Sequence, residues 1–139
     1  MSAHAGNVGS VHSLYDEAMR EAERHKWIES QKHGCDLGEH AIREWFRVHW
    51  PGYCRCKRLE HVRGQCCWAE FGDEAFGQLH SLIILGDLLV DRILDRVDFG
   101  NENLDIIRWA FVWGLPVRRI VDILEQIDLN RARLQPRSF

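Results

Sequence analysis

Apolar residues recur at three- and four-residue spacing along almost the whole chain, in runs closed by glycine or proline. That period belongs to helices with one buried face, and a chain built of such runs must stack helix on helix. The clearest runs are LDIIRWAFVWG, which stops at Gly114, and LPVRRIVDILEQI, which opens on Pro116 in a first-turn position. Upstream, Val11, Leu14, Tyr15, Ala18 and Ala22 share a helical face. This predicts a helix starting near Ser10 or Ser13 and stopping at Gly34. Asp36 with Glu39 three residues on reads as a capping box for a helix carrying Ala41, Ile42, Trp45 and Val48. Pro51-Gly52 predicts a break or kink. A third helix or continuation then runs from Tyr53 to Val62, with Tyr53, Cys56, Leu59 and Val62 inward, and stops at Gly64. Asp73 reads as the N-cap of a long helix over 74–97, and Asp128-Leu129-Asn130 as the cap of a short last helix before Pro136.

Only QCCWAEF alternates like a strand, and no second strand is evident to pair with it. The expected fold is therefore all-α: a bundle of five to six helices with short connections and one extended connector near 65–71. Residues 1–10 read as a flexible N-terminus and 11–139 as a single helical domain, with sub-halves 11–64 and 73–135. A chain of 139 residues can bury a core without disulfides or metal.

A formal net charge of −3 argues against wholesale attraction to nucleic acid or anionic membrane. Charge is uneven, however. Residues 41–65 carry Arg43, Arg47, Arg55, Lys57, Arg58 and Arg63 against Glu44 and Glu60, whereas 73–105 are dominated by aspartates. No basic and apolar leader is evident, and the longest apolar patch, LIILGDLLV, is too short to span a bilayer. The expectation is a soluble, cytoplasmic protein with no membrane partner. Five cysteines, an odd number, suit reduced thiols better than a disulfide framework.

Every cysteine and histidine lies in the first eighty residues. Cys54, Cys56, His61, Cys66 and Cys67 form the densest cluster, and thiolate with imidazole is the usual zinc donor set. The spacing is unlike paired zinc knuckles: Cys54 and Cys56 would point apart on a helix, and Cys66 and Cys67 apart in a strand. The competing reading buries Cys56 and one of Cys66 and Cys67 as small core residues. A reactive thiol is a third reading, because Arg55, Lys57 and Arg58 would favour thiolate. No Cys-x-x-Cys-His, Glu-x-x-His, Gly-x-Ser-x-Gly, phosphate-binding glycine loop or His-Glu-x-x-His occurs, so no cofactor and no catalytic machinery is expected, zinc being the alternative. Six tryptophans serve either the core, as expected for Trp45, Trp109 and Trp113, or a partner-binding groove.

The segment RWAFVWGLPVRRIVDILEQIDLNRARL resembles bacterial helix-turn-helix domains of the resolvase and transposase kind. The likeness rests on Ala110, Gly114, the helix with Arg118, Arg119, Ile120 and Leu124, and the basic segment from Asn130 to Leu134. It implies a last helix in the major groove, with Arg118, Arg119, Asn130, Arg131 and Arg133 as DNA contacts. Asp122, Glu125 and Asp128 would oppose phosphates there. Three functions are thus in play: a protein-interaction role, through a partner or as a homo-oligomer; DNA binding through the C-terminus; and a zinc or thiol role for the Cys54–Cys67 cluster.

Overall fold

A computed structural model describes residues 11–136. Six α-helices make up most of it: α1 (Leu14–His33), α2 (Glu39–Arg63), α3 (His80–Ile84), α4 (Leu88–Asp98), α5 (Asn103–Val112) and α6 (Val117–Ile127). The expected all-α bundle is what forms. The expected flexible N-terminus, 1–10, lies outside the described residues.

Local chemistry sets most boundaries. Ser13 caps α1 by accepting from the Asp16 amide at 3.3 Å, and Gly34, at φ 71°, ends it in the left-handed region. Val11 is not helical. Val11–His12 (β1) pairs in parallel with Cys67–Trp68 (β2), so the extended connector does have a partner, supplied by the residues just before α1. The sequence pattern hid this because a two-residue bridge is too short for alternation to register.

Three further expectations give way to tertiary structure. Pro51 does not break α2, which runs unbroken from Glu39 to Arg63. The Asp36–Glu39 box does not form: Gly38 is the N-cap, and Asp36 instead accepts from the Gly38 amide. The long helix expected over 74–97 gives way to turns over 74–79 and two shorter helices, so Asp73 is no N-cap: Leu79 precedes α3 instead. Gly86 turns the chain at φ 74°, and Asp87 caps α4 through the Leu89 and Val90 amides at 3.0 and 3.3 Å. Glycine beside a capping aspartate stops one helix and starts another more effectively than the flanking apolar period continues it.

Two apolar clusters form the interior, and α2 passes through both. The first joins Leu14, Ala18 and Ala22 of α1 to Ile42, Trp45, Phe46, Trp50 and Cys54 of α2, with Trp68, Phe71 and Ala132. The second joins Leu59 and Val62 of α2 to the inward faces of α4, α5 and α6. The clusters interleave along the chain, since Ala132 packs with the first and Leu129 with the second.

The C-terminal end of α2 is closed from a distance. The His61 carbonyl accepts from the Gly77 amide at 2.8 Å and the Val62 carbonyl from the Leu79 amide at 3.0 Å. Gly64 ends the helix at φ 83°, and a Cβ there would sit 3.2 Å from the Gly77 Cα. Both the left-handed backbone and the tight backbone contact exclude a side chain. Gly64→Ala is expected to lower stability by about 1–2 kcal/mol, read as a fall in the thermal midpoint. An unchanged midpoint would show that this close approach is not maintained.

Candidate interaction surface

The cysteine and histidine cluster does not converge. Cys54 and Cys56 lie two residues apart on unbroken α2, so Cys54 is buried and Cys56 exposed. This reverses the expectation that Cys56 would be the core residue; the inward face of α2 runs through Cys54 and Arg58 instead. Cys67 is buried in the β2 bridge, and Cys66 is half-buried. Among the described residues no three His, Cys, Asp or Glu side chains come together as metal ligands. Burial pushes the Cys54 thiol up to about 12, with the Leu134 backbone working against it. Burial raises Cys66 and Cys67 as well. At these three thiols burial outweighs the nearby cations: Lys57 works against the rise at Cys66 without reversing it, and the two arginines are directed elsewhere. Arg55 bonds the Val97 and Asn101 carbonyls and Glu102, and Arg58 bonds the Ile127 carbonyl.

His61 is fully buried, held edge-on to the Phe71 and Phe76 rings. Its Nδ1 accepts from the Trp68 amide at 3.1 Å, which places the proton on Nε2. Burial holds its pKa below the ordinary histidine value, opposed by the Gly72 backbone and reinforced by neighbouring Arg58. The imidazole therefore acts as a neutral acceptor that holds β2 at Trp68.

The C-terminal cations also fall differently from the helix-turn-helix resemblance. After α6, Asp128 adopts φ 47° and the chain makes one 3₁₀ turn, Leu129–Ala132, in place of the short last helix. This segment packs back onto α2. Leu129 and Ala132 are buried, Trp50 Nε1 donates to the Leu134 carbonyl at 2.8 Å, and the Tyr15 hydroxyl donates to the Gln135 carbonyl at 2.6 Å. Arg131 pairs with Glu74 at 3.6 Å and Arg133 with Glu102 at 3.1 Å, while Arg119 pairs with Asp87. Asn130 and Arg118 are exposed. The five residues are thus spread between the start of α6 and a strap laid along α2, and three of their four arginines already face carboxylates.

What the fold does leave outside is a set of large apolar side chains on α4 and α5. Trp45 fills the core as expected, but Trp113 is 72% exposed and Trp109 only half-buried. The helical period places Trp113 on the inward side, yet it stands at the last turn of α5, where Gly114 redirects the chain. Phe99 at 90%, with Leu104, Phe111 and Val112, is also exposed, as are Ile84, Leu85 and Leu88 at the α3–α4 turn. Between α4 and α5 runs an open groove of about 560 Å³ lined by Arg92, Asp95, Arg96, Phe99, Trp109 and Trp113, among others. The Arg96 guanidinium lies over the Trp109 ring, 3.9 Å from its centroid, which fixes both side chains at the groove floor. A second groove of about 590 Å³ lies between α2 and the C-terminal strap, walled by Phe46, Trp50, Arg47 and Leu134.

Comparison of the chain with protein-family models, with curated proteins and with solved structures gives no match. Among the described residues, no helix is long and apolar enough to cross a membrane.

The depressed His61 pKa has a defined sign. Folded His61 resists protonation, so its contribution is complete above the unfolded value near 6.5 and is lost as pH falls from there toward the folded value. Stability should therefore decline as pH falls below about 7, by at most roughly 1.4 kcal/mol per pH unit from this one group. His61→Gln, which keeps an acceptor for Trp68, should flatten that part of the pH profile in chemical denaturation. An identical slope in the variant would remove His61 as its source.

Proposed function

We propose that this chain is a helical protein-interaction module without catalytic machinery, and that its contact face is the aromatic surface of α4 and α5. One observation carries the reading: Phe99 and Trp113 stand exposed along a groove that also holds the Arg96–Trp109 pair, and Leu88, Phe111 and Val112 are exposed on the same two helices. Single exposed apolar residues are ordinary, but a concentration of large ones on neighbouring helices marks a surface kept for a partner. Tryptophan and arginine are the side chains that most often anchor such contacts. The five free cysteines, three of them with burial-raised thiol pKa values, suit a reducing, cytoplasmic setting.

The reading is tested with the double variant Phe111→Ser, Trp113→Ser. These side chains contribute little to the folded core, so the thermal midpoint should stay within about 2 °C of the native value. The same variant should lose the bound protein that the native chain retains when it is affinity-purified from its host under non-denaturing conditions and weighed by native mass spectrometry. Retention of the complex, or a large fall in the midpoint, would overturn the assignment of this face.

A further inference from the structure

The outward face of α4 reads Leu88, Arg92, Asp95, Phe99: apolar, base, acid, apolar. At 3.6 residues per turn these four side chains fall within an arc of about 60°, the alternating four- and three-residue spacing of a helix-pairing seam. All four are exposed. Of the neighbouring acids, Asp87 pairs with Arg119 and Asp98 with Arg63, whereas Asp91 lies exposed at the edge of this face. Arg92 and Asp95 form no ion pair among the described residues. The pattern is also its own complement. Leu88 and Phe99 lie equally far from the point midway between Arg92 and Asp95.

We infer that α4 is a self-pairing face, on which a second copy of this chain docks antiparallel about a two-fold axis between Arg92 and Asp95. In that arrangement Arg92 meets Asp95 of the second copy and Leu88 meets its Phe99, and symmetry repeats each contact. A parallel alignment sets Arg92 against Arg92 and Asp95 against Asp95, so the same charges that favour one orientation reject the other. An eleven-residue helix is too short to bury the roughly 1,000 Å² a specific interface needs. Trp113 and Leu115, which share the groove with Arg92, supply apolar area beside the seam. The inference rests on the interaction-module reading and names the partner.

Sedimentation equilibrium of the purified chain alone tests it. The native protein should show a monomer–dimer equilibrium. Arg92→Asp places two acids against two acids across the axis, and Asp95→Arg does the same with bases; each should raise the dimer Kd at least about tenfold. Mixing the two variants restores every opposite-charge contact in the heterodimer, so the equimolar mixture should associate about as tightly as the native chain. Because each variant is its own folding control in the mixture, loss of structure cannot mimic this result. A native chain that stays monomeric at about 1 mM, beyond the range of weak specific binding, would overturn the inference, as would a mixture no tighter than its components. A monomeric chain that still loses a second protein on substitution of Phe111 and Trp113 would sink self-pairing alone and leave the interaction module standing.

Discussion

Arg58 is 2% exposed and, among the described residues, has no carboxylate within ion-pair distance, and much of the architecture follows from how that charge is accommodated. Its Nε donates to the Ile127 carbonyl at 2.8 Å, at the C-terminal end of α6, and its guanidinium faces the Phe71 ring, 5.3 Å from the centroid. The end of a helix carries partial negative charge on carbonyls with no partner in the helix. A buried cation placed there satisfies the helix end while the helix end offsets the charge. Burial still lowers the Arg58 pKa, with Asp128 opposing. The arrangement joins α2, the 3₁₀ turn Ala69–Phe71 and α6 at one point, where the two apolar clusters meet.

From that joint the remaining contacts propagate. One turn along α2, His61 accepts from the Trp68 amide and so positions β2, which pairs with the residues preceding α1. Past Ile127, the strap from Leu129 to Gln135 is held on α1 and α2 by the Tyr15 and Trp50 side chains. Arg55 and Arg133 converge on Glu102, which links α2 and the strap to the start of α5. Arg55 and Arg63 of the basic stretch thus meet Glu102 and Asp98 of the acidic one, and Glu74 and Asp87 meet Arg131 and Arg119. The α4–α5 groove begins beside the Arg55 joint at Asn101, and Phe99 and Trp113 along it are left exposed.

Helix identity was legible where a cap and a period agreed. Ser13 with Gly34 framed α1, and Gly64 and Gly114 stopped α2 and α5, because left-handed stops favour glycine whatever surrounds them. The break at Gly86-Asp87 was written in the chain but outweighed by the apolar period on either side. The passage of α2 through Pro51 depends on packing: Trp50 and Cys54 are both buried on the same helix, and that burial outweighs the backbone bond that proline removes. The candidate site was read less well. Trp113 has core spacing, and only the turn at Gly114 exposes it. The basic C-terminal segment has the composition of a DNA-contacting helix, yet it became a strap once Leu129 and Ala132 found buried places along α2.

By itself the sequence determined the class of fold, most helix ends and the absence of familiar catalytic motifs, because periodicity, capping and motif spacing are local properties of the chain. Tertiary structure decided which cysteine is buried, where each arginine spends its charge and which aromatic side chains remain outside. Those outcomes depend on which faces meet across dozens of intervening residues, and a face that meets nothing within the chain has no local signature that separates it from core.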